Sequence, residues 1–151
     1  MATTLKPILK SFNDLTVTEL YMILRLRNEV FIVEQNCVYQ DVDNKDLKCH
    51  HLMLMQGDQL MAYARLVPVG ISFTEVSIGR VITSPLARGT GAGKELMQTA
   101  IKACEIIFGE GPIKIGAQAY LVKFYSSLGF VQVSDEYDED GIPHIDMIRQ
   151  P

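Results

Sequence analysis

The chain has 151 residues, nearly half of them apolar, enough for one globular domain (1–151) with a sizeable core. Its 14 basic and 18 acidic residues leave a net charge of -4, which argues against broad binding to nucleic acid or anionic membrane; any partner phosphate has to be held locally. The start "MATTLKPILK" has no apolar core of signal-peptide length and no apolar run approaches the roughly 20 residues that span a bilayer, so the expectation is a soluble, cytoplasmic protein.

A short apolar segment around Ile8 and Leu9 comes first. "TVTE" then offers a capping box between Thr16 and Glu19, and Leu20, Ile23, Leu24, Val30 and Phe31 recur at helical spacing behind it. From Glu34 to Asp46 the periodicity stops. "HLMLMQGDQLMAYARLVPV" predicts two strands joined at Gly57 and Asp58, and "EVSIGRVIT" a third, ended by Pro85. After a glycine-rich loop, Leu96, Met97, Ala100, Ile101, Cys104 and Ile107 form one stripe of a long amphipathic helix. "PIKIGAQA" is a strand, "LVKFYSSLGF" a short helix stopped by Gly129, and "VQVSDEY" and "HIDMI" are closing strands around the turn "EDGIP". The order β, α, three β, α, β, α, ββ implies an α/β (α+β) fold with mostly antiparallel pairing and one parallel crossover.

The loop "LARGTGAGKELM" carries Gly89, Gly91 and Gly93 at alternate positions in front of that long helix. Such spacing frees several backbone N–H groups to turn toward one anion, and the helix adds the positive end of its dipole. Arg88 and Lys94 supply charge on either side, so the loop suits a pyrophosphate. It is not a P-loop, because Arg88 stands where the first glycine belongs and Glu95 replaces the magnesium-binding hydroxyl. Nor is it a dinucleotide fingerprint, whose third glycine would fall at Lys94.

"DVDNKD" lacks the glycine of a calcium loop, and "CHH" at Cys49–His51 has no second ligand pair at zinc spacing, so no metal is expected. His51 is read as orienting a neighbour or lining a ligand site, or else as an ordinary hydrogen-bonded core histidine. Cys37, Cys49 and Cys104 are odd in number and widely spaced, which favours reduced thiols.

"GRVITSPLARGTGAGKELM" and "AQAYLVKFYSSLGF" resemble the two signatures of the GNAT superfamily of N-acetyltransferases, and "FIVEQNCVYQDVD" and "DEDGIPHI" extend the likeness to its ElaA-like branch. The resemblance implies a mixed central sheet of six or seven strands flanked by helices and splayed between the fourth and fifth. It implies acetyl-CoA as donor, with Val81, Ile82 and Thr83 lending backbone groups to the pantetheine arm, and Arg88, Gly89, Thr90, Gly91, Ala92, Gly93 and Lys94 around the pyrophosphate. Gln118 stands where relatives often place a polar group near the cofactor, and Gly79 and Gly116 can ease the splay.

Direct attack by a primary amine, through a tetrahedral intermediate, needs donors for the oxyanion, an acid for the departing thiolate and a base. Tyr125 resembles the family's acid. The base is open between Glu75, Glu34 and His144, since Arg80 interrupts the strand where many relatives carry a glutamate. The acidic loop of Glu34, Asp41, Asp43 and Asp46 would suit a cationic amine, either a small molecule or a peptide. A non-catalytic acyl-CoA-binding module on the same fold is the alternative, and relatives suggest a homodimer.

Overall fold

The computed structural model describes residues 4–151. Strand β1 (Lys6–Ser11) leads through a short turn to helix α1 (Val17–Arg27), whose start is the predicted capping box. The Thr16 hydroxyl accepts from the Glu19 amide at 3.0 Å while the Glu19 carboxylate accepts from the Thr16 amide at 2.9 Å. Beyond Arg27 the helix widens into a π-wound turn, Asn28–Glu34, closed by the Gln35 amide donating to the Val30 carbonyl.

Strands β2 (His50–Gln56), β3 (Gln59–Val67) and β4 (Val76–Thr83) follow, then α2 (Ala92–Phe108), β5 (Ile113–Gln118) and α3 (Val122–Ser126). The chain closes with β6 (Val131–Gln132), β7 (Tyr137–Glu139) and β8 (Ile142–Arg149). The sheet runs β1-β2-β3-β4-β5-β8-β6, with β7 also paired to β8, and every pair is antiparallel except β4 with β5.

There are eight strands rather than six or seven because "VQVSDEY" is broken. The Val133 amide donates to the Asp146 carbonyl, and the Ser134 hydroxyl then takes the Asp146 amide at 2.8 Å, in place of a backbone carbonyl. That side-chain substitution lifts the next residues off the ladder, so β6 and β7 lie end to end along one side of β8.

The sheet separates two apolar layers. Leu52, Leu54, Ala62, Ala64, Leu66 and Ile78 face α2, whose Leu96, Met97, Ala100 and Cys104 are buried against them. Met53, Met55, Tyr63 and Ile82 face Ile23 and Leu26 of α1 and Val30 of the π-wound turn. Ile78 and Ile82 are four residues apart and would share a face of a regular strand. They face opposite layers because β4 carries a bulge: Arg80 and Val81 together oppose Ala64, and Arg80 takes a left-handed φ of 49°.

The loop between the π-wound turn and β2 is tied down by three arginines and three aspartates. Arg27, fully buried, donates from Nε to Asp41 and from Nη1 to Asp46, each at 2.8 Å. Arg65 bridges Asp43 and Asp46 at 2.8 and 3.0 Å. Arg80 Nε lies 2.8 Å from Asp41 at an angle too poor for a hydrogen bond, while its Nη2 donates to the Asp41 carbonyl at 3.1 Å.

Two expectations follow from this network. Arg27→Ala leaves two buried carboxylates short of a partner and should lower the unfolding free energy by about 3–5 kcal/mol in urea denaturation. Burial by itself would raise the Asp43 carboxyl, but hydrogen bonds and charge from Arg65, with help from Arg80, outweigh it and hold the group at about 2. Asp46 is lowered in the same way by Arg27 and Arg65. Their contribution is therefore complete above the ordinary value of 3.8 and is lost as pH falls toward 2. Urea midpoints should drop steeply below pH 4, and Asp43→Asn should flatten that drop from a lower starting point.

Candidate active site

Strands β4 and β5 pair only at Val76 with Ile113 and at Ser77 with Lys114, then part. A cavity of about 770 Å³ opens where they separate, with Gly79 to Thr83 on one wall and Ile115 to Gln118 on the other. That volume is within the usual range of small-molecule sites. Gly79 faces open space, whereas a side chain at Gly116 would meet the Tyr137 hydroxyl at 3.2 Å. Gly116 thus admits that phenol, which donates to Asp146 at 2.6 Å.

Beyond β4 the chain turns at Ser84, whose Oγ accepts from the Leu86 amide, and enters the glycine loop. Gly89 and Gly91 have φ of 76° and 85°, the left-handed region that glycine enters without strain. Gly91 is the N-cap of α2 and offers no side-chain cap. Among the described residues, no amide from Gly89 to Lys94 donates to another protein group, while the next, Glu95, donates to the Gly91 carbonyl. The amides of Gly91 to Lys94 are the four that a helix start leaves without a partner inside the helix.

Arg88 and Gly93 line the cavity itself; Gly89, Thr90, Gly91, Ala92 and Lys94 do not. The Ala92 side chain belongs to the core, the Thr90 hydroxyl donates to the Ala87 carbonyl, and Lys94 is exposed. Gly93 sits where a Cβ would come within 3.4 Å of Thr83 Oγ1.

Tyr125 lines the cavity at 6% exposure and packs edge-on to Phe124 and Phe130, with ring centroids at 5.1 and 6.0 Å. Its hydroxyl has no hydrogen-bond partner among the described residues. Burial, with a smaller contribution from Tyr120, pushes the phenol up to about 12, so it keeps its proton throughout the neutral range.

His144, on β8 opposite Gln118, also lines the cavity. Its Nδ1 lies 2.8 Å from the Ile142 carbonyl, which can only accept, so Nδ1 carries the proton and a neutral ring keeps its lone pair on Nε2. A carboxylate oxygen of Glu139 stands 3.2 Å from that Nε2. Glu34 lines the cavity too, but its carboxylate is paired with Arg88 at 2.7 Å.

Glu75 is not brought into this group. It precedes β4 at the end where β4 and β5 are still paired, outside the cavity wall, and accepts from the Thr74 hydroxyl. The acidic loop is not an open trap for cations either, since Asp41, Asp43 and Asp46 are engaged by Arg27, Arg65 and Arg80. His51 is a core histidine, bonded to the Tyr63 hydroxyl at 2.7 Å and the Asp46 carbonyl at 2.9 Å. The sequence reading missed Phe31, Tyr39, Tyr120 and Glu139 as lining residues. Only Glu139 had a signal: the "EDGIP" turn, with positive φ at Asp140 and Gly141, sets it opposite Ile142, two residues from His144 and on the same face.

The family model described as acetyltransferase (GNAT) domain matches residues 13–150. The chain is 44% identical to Protein ElaA of Escherichia coli K12 over 140 residues, 91% of this chain and 92% of that one. It is 45% identical to a UPF0039 protein of Schizosaccharomyces pombe over 142 residues, 93% of each. Among solved structures, an acyl-CoA N-acyltransferase from Pseudomonas aeruginosa superposes with a TM-score of 0.92 at 47% identity, covering 97% of this chain and 99% of its own. Escherichia coli ElaA does so at 0.91 and 41%, covering 97% and 100%. The fold is that of the acyl-CoA N-acyltransferases. The chain belongs to the GNAT superfamily of N-acetyltransferases and is closely related to the ElaA-like proteins; it is an acetyltransferase that draws on an acyl-CoA donor.

The loop geometry separates two of its glycines by experiment. Gly91→Ala forces a Cβ into the left-handed region and should cost about 1–2 kcal/mol. Gly93→Ala replaces a helical glycine with room for a methyl, and should be neutral or stabilising by up to about 1 kcal/mol. The urea midpoint of Gly91→Ala is expected to fall, and that of Gly93→Ala to hold or rise.

Proposed function

We propose that the protein transfers the acetyl group of acetyl-CoA to a primary amine by direct attack, within the cavity between β4 and β5. The observation that carries this reading is the run of partnerless amides from Gly89 to Lys94 at the start of α2, next to a gap open along β4. Those amides and the Arg88 guanidinium would hold the diphosphate, and the backbone of Val81, Ile82 and Thr83 would pair with the pantetheine arm, with Gln118 opposite. The group brought by the donor supplies an activated thioester.

The remaining steps belong to side chains. His144 takes a proton from the attacking ammonium at Nε2, and Glu139 stabilises the imidazolium. The freed amine forms the new C–N bond and turns the thioester carbonyl into a tetrahedral oxyanion. The C=O re-forms as the C–S bond breaks and the Tyr125 hydroxyl passes its proton to the departing sulfur. The second proton of the acylated nitrogen then restores the Tyr125 phenol, while His144 gives its own to water. His144 is preferred to Glu34 because the carboxylate beside its Nε2 suits a ring that takes up a proton, whereas Glu34 faces the Arg88 cation, and to Glu75 because it lines the cavity. Polyamines, amino acids, aminoglycosides and peptide amino termini all satisfy the chemistry as acceptors.

Calorimetric titration with acetyl-CoA should give saturable binding that Gly91→Glu abolishes, and heat that is absent or equal in the two proteins would end this reading. Tyr125→Phe should keep donor affinity within about twofold while turnover on any accepted amine falls about 10²-fold or more, the range of general acid catalysis.

A further inference from the structure

Glu34 and Arg88 come from different parts of the fold and meet at the cavity. Glu34 ends the π-wound turn after α1, while Arg88 stands directly before the glycine loop. Arg88 Nη2 lies 2.7 Å from Glu34 Oε1, with the side chains 44% and 42% exposed. Among the described residues neither has another oppositely charged partner. Both line the cavity, and Phe31, three residues before Glu34, lines it with them.

We infer that this ion pair couples donor binding to acceptor binding: a diphosphate seated at the loop draws Arg88 away from Glu34, and the released Glu34 carboxylate then holds the ammonium of the acceptor. The inference rests on the loop being the diphosphate seat. A single ion pair this exposed alters an equilibrium by no more than about fivefold. A diphosphate offers the guanidinium two parallel charge-assisted bonds and so wins the competition. Until then Glu34 opposes the donor twice, by occupying Arg88 and by placing a negative charge near the phosphates. Afterwards it is an unpaired carboxylate at the cavity and favours a cationic amine over a neutral or anionic one. By linkage, the donor strengthens acceptor binding by the same factor by which the acceptor strengthens donor binding.

The counter-intuitive consequence is that removing a carboxylate assigned to the acceptor should improve binding of the donor. Coenzyme A itself is the probe, titrated by calorimetry at low salt into the wild type, Glu34→Gln, Arg88→Ala and the double variant. Glu34→Gln should tighten Kd about two- to fivefold. Arg88→Ala should weaken it, and Glu34→Gln should gain clearly less in the Arg88→Ala background than in the wild type, only the contribution of its charge near the phosphates remaining. An unchanged Kd in Glu34→Gln overturns the coupling. So does an equal gain with and without Arg88, which would be the general field of one charge. A wild type that binds no coenzyme A overturns the donor reading itself, an outcome distinct from either.

Discussion

Two strands that begin as a parallel ladder and separate after two pairs leave a problem that the rest of the molecule is arranged around. Backbone N–H and C=O groups inside a protein are almost always paired, and where β4 and β5 diverge the ladder no longer supplies partners. The separation is tied to β4's own irregularity. With Arg80 in the left-handed region, the strand turns Ile78 toward the α2 layer and Ile82 toward the α1 layer, so its second half cannot continue the plane of the first. What fills the opening has to offer amides and carbonyls along its length and a charged group at the glycine loop, which is the chemistry of a pantetheine diphosphate.

A left-handed non-glycine residue in mid-strand is costly and persists only where its surroundings hold it. Here the holding groups are Asp41 and Asp43, which come from the irregular loop and are themselves fixed by Arg27 and Arg65. The chain of cause runs from α1 through the loop to the bulge, and from the bulge to the cavity. Three cations and three anions balance within the network, so burial does not strand a net charge. The Arg80 guanidinium also lies over the Tyr39 ring, with its Cζ 5.6 Å from the centroid, which packs the loop against the same wall.

Features with local causes were legible in the sequence. The capping box at Thr16, the hairpin at Gly57 and Asp58, the amphipathic α2 and the glycine loop each depend on residues close together in the chain, and the parallel crossover follows from the order strand, helix, strand. Features with distant causes were not. The acidic loop looked like a cation trap because Arg65 and Arg80, which neutralise it, lie some twenty to forty residues further on. Glu75 stood among the candidate bases because it opens the segment "EVSIGRVIT", but position along a strand says nothing about where two strands part. The break in "VQVSDEY" turns on one serine hydroxyl finding the amide of Asp146, a contact no periodicity announces.

Acid matching between Tyr125 and the thiol it is proposed to protonate shows why the environment matters more than the residue type. A phenol at about 12 is a poor donor to a thiolate in water, whose conjugate acid is near 8.5. Burial acts on thiols as well as on phenols: within this chain it pushes Cys49 up to about 11 and Cys104 up to about 12. A thiolate released inside the cavity meets the same desolvation, so its affinity for a proton rises alongside the phenol's and the gap narrows. Proton transfer then needs the reacting sulfur to remain enclosed until the C–S bond has broken. A site that admitted water early would stabilise the bare thiolate and leave Tyr125 no role beyond packing against Phe124 and Phe130.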